Sequence, residues 1–162
     1  MPTRIVCFDT NILSWCLRTC RDNQQDKIEQ AAQLINSLNK SKTKVAIPTI
    51  VLAETLSFIP EDSTQNFLEL IKKHFLVFPF NSVAAYHYSV ITRMKKNVEI
   101  DGARWSKSAD VKIISTALAH GASCIYSEDE DMLKLADGIL QVQCLPAMPP
   151  AQISLLTSCV RQ

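Results

Sequence analysis

What the chain lacks narrows it first. Three glycines among 162 residues exclude collagen-like repeats and glycine linkers. No apolar run reaches the ~18 residues of a membrane span, so no membrane partner is expected. There is no C-x-x-C pair, no G-x-x-x-x-G-K and no G-x-G-x-x-G, which removes the common zinc, P-loop and dinucleotide signatures. Charge of one sign is not in excess either, because 17 Lys and Arg stand against 16 Asp and Glu. A basic coat for nucleic acid is therefore absent, and such a partner must meet a local patch. His74, His87 and His120 have no ligand spacing to one another or to the cysteines.

What remains is an ordinary globular composition. Apolar residues are 47% and charged residues 20%, enough for one domain with its own core. Asp9 arrives too early for the apolar stretch of a signal peptide, so a soluble, cytoplasmic protein is expected. In that setting the six cysteines read as buried free thiols. Cys16 and Cys20 are four residues apart and can share a helix face.

Short β-branched runs alternate with helix-period segments. Strands are predicted at Arg4 to Phe8, Lys44 to Ile47, Phe75 to Phe78, Cys124 to Tyr126 and Val142 to Leu145. Between them lie helical patterns: Asp26 to Asn39, a segment from Thr49 ended by Pro60, and one marked by Phe67, Leu70, Ile71 and His74. Ser82 to Lys96 follows, with Ser82 as N-cap and Val83, Tyr86, Val90 and Met94 on one side. After a polar stretch from Asn97 to Lys107, Asp110 opens a helix that Gly121 closes. Strands separated by helices imply β-α-β units, an α/β class and a parallel sheet covered on both faces. Ligands of such sheets bind outside the carboxyl ends of the strands.

Acidic residues collect at that edge. Asp9 follows the first strand and Asp129 follows Cys124 to Tyr126, while Asp110 can bind a ligand or merely cap its helix. Glu54 is the only charge in Ile-Val-Leu-Ala-Glu-Thr-Leu-Ser-Phe-Ile, where burying it requires a partner. Clustered carboxylates either take up protons or hold a cation, and oxygen-only donors favour Mg²⁺ or Mn²⁺. Arg93, Lys95, Lys96, Arg104, Lys107 and Lys112 surround Asp110 in sequence. They form either a solvated surface or a phosphate-tracking stripe, strongest at Arg104 and Lys107. Trp105 between those two can stack on a base or anchor in the core.

Four motifs then occur in order: Asp9-Thr10-Asn11-Ile12-Leu13, Glu54 in a post-strand helix, Ala109-Asp110, and Ile125-Tyr126-Ser127-Glu128-Asp129-Glu130-Asp131. From about Ile5 to Leu145 the chain resembles the PIN-domain nucleases. The resemblance implies a three-layer α/β/α fold spanning residues 1–146, with 147–162 as a tail packed on the domain or on a partner. It also implies hydrolysis of RNA phosphodiesters with Mg²⁺ or Mn²⁺, and Asp9, Glu54, Asp110 and Asp129 as the catalytic acids. Asp9, Asp110 and Asp129 would hold metal, with Asp131 as an auxiliary acid. Ser127 would hold a carboxylate or a ligand water, and Asn11 would brace the loop. Many bacterial members are VapC-type toxins that act as homodimers and are blocked by an antitoxin. The chain departs from the family pattern in having Ser127 in place of Thr and Met132 in place of an aromatic, and in being longer than the compact toxins.

Rival readings differ at single positions. An aspartyl phosphohydrolase needs an acid two residues after Asp9, where Asn11 stands. A phosphoacceptor receiver needs an acidic pair that is missing after the first strand. The alternative of another class is a catalytically silent PIN-like module that binds RNA or protein.

Overall fold

A computed structural model describes residues 3–19, 24–98 and 104–147, with the side chains of 104–106 outside the description. Five strands form one sheet: β1 (Ile5–Phe8), β2 (Lys44–Pro48), β3 (Leu76–Phe78), β4 (Cys124–Tyr126) and β5 (Val142–Gln143). Their order is β3-β2-β1-β4-β5 and every pairing is parallel. Val6 sits opposite Val45 on one side and Cys124 on the other, which makes β1 the central strand. Its Val6, Cys7 and Phe8 are fully buried, as strands covered on both faces must be.

Among the described residues seven α-helices connect the strands: α1 (Thr10–Leu17), α2 (Gln25–Lys40), α3 (Thr49–Leu56), α4 (Thr64–His74), α5 (Ser82–Met94), α6 (Arg104–Ala119) and α7 (Glu130–Ala136). Right-handed crossovers between parallel strands put α1 to α4 on one face and α5 to α7 on the other, giving an α/β/α sandwich. The chain leaves β1 toward β2 and leaves β4 toward β5, in opposite directions. The topological switch point therefore lies between the carboxyl ends of β1 and β4, where α/β sheets form their ligand crevice.

Four details differ from what the sequence predicts. Helix α1 is not among the predicted helices: its eight residues, polar at Thr10, Asn11 and Ser14 and buried at Ile12, Leu13 and Trp15, span too few turns for a period to stand out. Helix α6 begins at Arg104, so Asp110 lies two turns inside it and does not cap it. The polar residues before Asp110 are competent helix formers whose first turns need no apolar period. In α5 the cap is Asn81, whose Oδ1 accepts the Ala84 N–H at 2.9 Å, and not Ser82. The buried side of α5 is Ala84 and Ile91, while Val83, Tyr86 and Met94 are 50%, 66% and 65% exposed. Of the apolar stripe Val83, Tyr86, Val90 and Met94, three members thus face outward and Val90 is half-buried.

Gly121 ends α6 at φ +70°, with Gly121 N–H to Leu118 O and Ala122 N–H to Ala117 O closing the helix. Among the described residues Cys7, Cys16, Cys124 and Cys144 are free; Cys7 and Cys124 are buried and Cys144 is exposed. Burial pushes the Cys7 and Cys16 thiols up to about 12, which makes them inert. Cys20, the expected companion of Cys16, lies outside the described residues, as does the tail from 148 onward. Among the described residues no helix is long and apolar enough to cross a membrane.

Candidate active site

Strand ends and helix starts converge at the switch point. Asp9 is the first residue after β1 and the N-cap of α1; its own N–H bonds Tyr126 O at 3.0 Å, locking it to the end of β4. Each of its oxygens has a donor. Oδ1 takes the Thr10 N–H at 2.6 Å and Oδ2 takes the Ser127 hydroxyl at 2.8 Å. Ser127 is fully buried, and its Oγ also accepts the Asp129 N–H at 3.1 Å. Asp129 caps α7 by accepting the Asp131 N–H on Oδ1 at 2.8 Å.

The network extends both ways. Thr10 Oγ1 donates to Glu54 Oε2, so α3 is tied to the β1–α1 junction. Asp131 is mostly buried, and its Oδ1 meets Lys134 Nζ at 3.3 Å. Glu54, Thr10, Asp9, Ser127, Asp129, Asp131 and Lys134 thus form one polar chain across three chain segments. Thr10 and Lys134 were not singled out by sequence; Thr10 was legible only as the middle of Asp9-Thr10-Asn11. Asn11 is exposed in the first turn of α1, and the link to Glu54 is made by Thr10 instead.

Asp110 enters from α6 and stands apart from this chain. It is buried, and its Oδ2 has no hydrogen-bond partner. Burial, reinforced by the charges of Asp129, Asp9, Glu54 and Asp131, pushes its carboxyl up to about 7. Asp9 is also raised: burial is the main cause and outweighs the opposing bonds from Ser127 and Thr10, with the charges of Glu54 and Asp129 adding smaller pushes in the same direction as burial. Four carboxylates within electrostatic reach of Asp110, which itself holds an orphaned oxygen, fit a divalent cation by charge and donor type. No ready-made cage of three or more His, Cys, Asp or Glu side chains exists among the described residues.

The basic stripe resolves differently. Lys107 Nζ donates to Lys95 O at 2.9 Å and Val98 O at 3.0 Å, closing the carboxyl end of α5. Lys95 Nζ in turn donates to Asp137 O at 2.8 Å and Lys134 O at 3.3 Å at the end of α7. Lys107, expected as a phosphate contact, is instead a helix-end clamp: carbonyls at a helix terminus lack partners, and a nearby ammonium satisfies them. The side chains of Arg104 and Trp105 lie outside the described residues. His120, stacked on Phe78 with Nε2 2.9 Å from Pro79 O, is structural.

The sequence matches the PIN domain family over residues 6–138. The chain belongs to the PIN-domain family. Solved structures agree at the level of the fold. A chain of VapBC2 from Rickettsia felis, crystallised on a promoter DNA fragment, is 18% identical and superposes with a TM-score of 0.64, covering 88% of this chain and 99% of that one. VapBC-1 from nontypeable Haemophilus influenzae gives 18% identity and a TM-score of 0.64 over 87% and 98% of the two chains. A toxin-antitoxin complex from Klebsiella pneumoniae gives 19%, 0.60, 88% and 99% in the same order. No curated protein matches the sequence. The PIN domain of this chain thus carries its acids on the β1–α1 junction, α3, α6 and the β4–α7 loop.

Proposed function

We propose that this PIN domain is an Mg²⁺- or Mn²⁺-dependent endoribonuclease that hydrolyses phosphodiester bonds of single-stranded RNA, acting as the toxin of a type II toxin-antitoxin pair. The observation that carries the reading is the buried, unpartnered Oδ2 of Asp110 among four other carboxylates. Asp9, Asp110 and Asp129 would hold the cation, with Asp131 beside them. The all-oxygen donor set suits Mg²⁺ or Mn²⁺, with some of these carboxylates contacting the ion directly and others through its waters. Held by these residues, a divalent cation would offset the carboxylate repulsion and lower the pKa of a bound water, so that the deprotonated water could serve as nucleophile.

The chain's own groups do the rest. Thr10 N–H and the Ser127 hydroxyl fix both oxygens of Asp9 before substrate arrives, so little reorganisation is left for the reaction. Thr10 occupies Glu54 Oε2, which leaves Oε1 to accept a proton from the attacking water. Burial and the neighbouring carboxylates raise the Asp110 carboxyl to about 7, so a cation bound there would favour its ionised form.

Two surfaces support the partners. A groove of about 550 Å³ between α1, α2 and α4 has an apolar floor including Leu17, Ile35 and Leu76, and a rim of Lys44, Lys72 and Lys73. That chemistry suits an acidic, amphipathic segment of an antitoxin. The outward stripe of Val83, Tyr86 and Met94 on α5 suits a second copy, giving a homodimer.

The test is cleavage of a mixed-sequence single-stranded RNA with Mg²⁺ or Mn²⁺. EDTA and the folded Asp9→Asn plus Asp129→Asn variant serve as controls. Cutting that vanishes in both controls is the expected result. No cutting by folded protein in either metal would favour the silent binding module, and cutting that survives in the variant would move the site elsewhere.

A further inference from the structure

The acidic run after β4 contains a residue that the proposed chemistry does not use. Glu128 stands between Ser127, which donates to Asp9, and Asp129, which caps α7. Its own carboxylate is engaged with other elements. Oε2 lies 2.5 Å from Lys27 Nζ on α2, and Oε1 accepts the Leu145 N–H at 2.7 Å just beyond β5. Both partners are themselves held. Lys27 lies 5.6 Å from the centre of the Trp15 ring, and the indole N–H donates to Gln24 Oε1 at 2.5 Å. Leu145 is buried in the core.

An exposed ion pair alone contributes little. This one is partly buried, shares its carboxylate with a backbone N–H and has both ends fixed, so it constrains geometry as well as charge. Burial raises the Glu128 carboxyl, but the bonds from Lys27 and Leu145 and the lysine charge outweigh it and hold it below the usual range. Glu128 therefore stays ionised at neutral pH.

The anchor lies beside the site. Asp9 follows β1, whose Val6, Cys7 and Phe8 are fully buried, and Asp110 is followed on α6 by the buried Val111, Ile113 and Ile114. Asp129 sits instead on the short loop between β4 and α7, where Ser127 bonds Asp9 while Glu128 and Asp129 are half-buried. We propose that Glu128 is a positioning residue, whose attachment to Lys27 and Leu145 holds this loop inward and fixes Asp129 relative to Asp9 and Asp110. Its consequence for catalysis rests on the nuclease reading above; its consequence for the loop does not.

The experiment compares the full-length parent with Glu128→Ala and Lys27→Met. Amide hydrogen exchange is followed in EDTA, and single-turnover cleavage of single-stranded RNA in Mn²⁺. Exchange at Asp129, Asp131 and Leu133, whose N–H groups bond within the loop and first turn of α7, should accelerate roughly tenfold or more. Ile125, bonded to Gln141 O inside the sheet, should be unchanged. The cleavage rate should fall at least about tenfold at saturating RNA with KM unmoved, and Lys27→Arg should restore both readouts. Lys27→Met keeps the Leu145 bond and carries the test should Glu128→Ala fail to fold. Unchanged exchange in the folded variants overturns the proposal, whatever cleavage does. A parent that cuts no RNA overturns the nuclease reading instead, and the exchange result still decides the role of Glu128.

Discussion

Asp110→Asn tests the electrostatics of the site without deleting any hydrogen bond of Oδ2, because that atom makes none. The rise of its carboxyl from 3.8 to about 7 is due first to burial and then to the charges of Asp129, Asp9, Glu54 and Asp131. At about 1.4 kcal/mol per pH unit, holding Asp110 charged costs at most about 4 kcal/mol, which solvent screening reduces to roughly 2–3. The folded state binds this proton more tightly than the unfolded state does. Its stabilising contribution is therefore complete below pH ~4 and lost as pH rises through about 7. An asparagine imitates the protonated form at every pH. In EDTA at pH 8 the variant should be more stable than the parent by roughly 2–3 kcal/mol, or about 5–10 °C in Tm. At pH 4 the difference should nearly vanish. Saturating Mn²⁺ should then raise the Tm of the parent more than that of the variant, while cleavage by the variant stays lost. Thermal or urea denaturation at the two pH values reads all of this. A variant no more stable than its parent at pH 8, or a gap that persists unchanged at pH 4, refutes the reasoning.

Ser127→Ala removes the donor to Asp9 Oδ2 and the acceptor of Asp129 N–H, and should lose about 1–3 kcal/mol by urea denaturation; Ser127→Thr, which keeps the hydroxyl, should lose less. Lys107→Met should cost about 1.5–3 kcal/mol of stability through the two carbonyls it abandons, yet leave the salt slope of RNA binding unchanged. A flattened slope would return Lys107 to the phosphate path. Tyr86→Glu with Met94→Lys should convert a dimer to a monomer by light scattering and change stability by no more than about 0.5 kcal/mol, because both side chains are exposed.

Periodicity served best where one face is buried and the other wet, as in α2 and α4. It failed at α1, which is too short for its polar side to set a period, and at α5, whose largely outward stripe has the same spacing as a core face. A hydrophobic pattern states that a face seeks cover without stating which neighbour supplies it. Asp9 and Asp129 were legible because each follows a strand, and Glu54 because it is the one charge in its helix; Asp110, among the basic residues of α6, stood out only through the family motif. Their individual roles were not legible. Glu128, Asp129, Glu130 and Asp131 are consecutive carboxylates in sequence. In space one binds Lys27, one caps α7, one is exposed and one pairs with Lys134. The partners that separate them lie up to 101 residues away, beyond any local rule. Lys107 misled for the same reason, since the carbonyls it closes belong to another helix.

The central position of β1 also governs when the site can exist. Its first neighbour, β2, follows within the same half of the chain, but its second, β4, begins only at Cys124. Until that strand is made, β1 has one bare edge and Asp9 lacks both the Ser127 hydroxyl and the company of Asp129. A growing chain that has folded everything up to α6 therefore holds three of the acids and no finished centre. Joining β4 to β1 completes the sheet and assembles the centre in one event, so a nascent or truncated form cannot act before the fold that restrains it is in place.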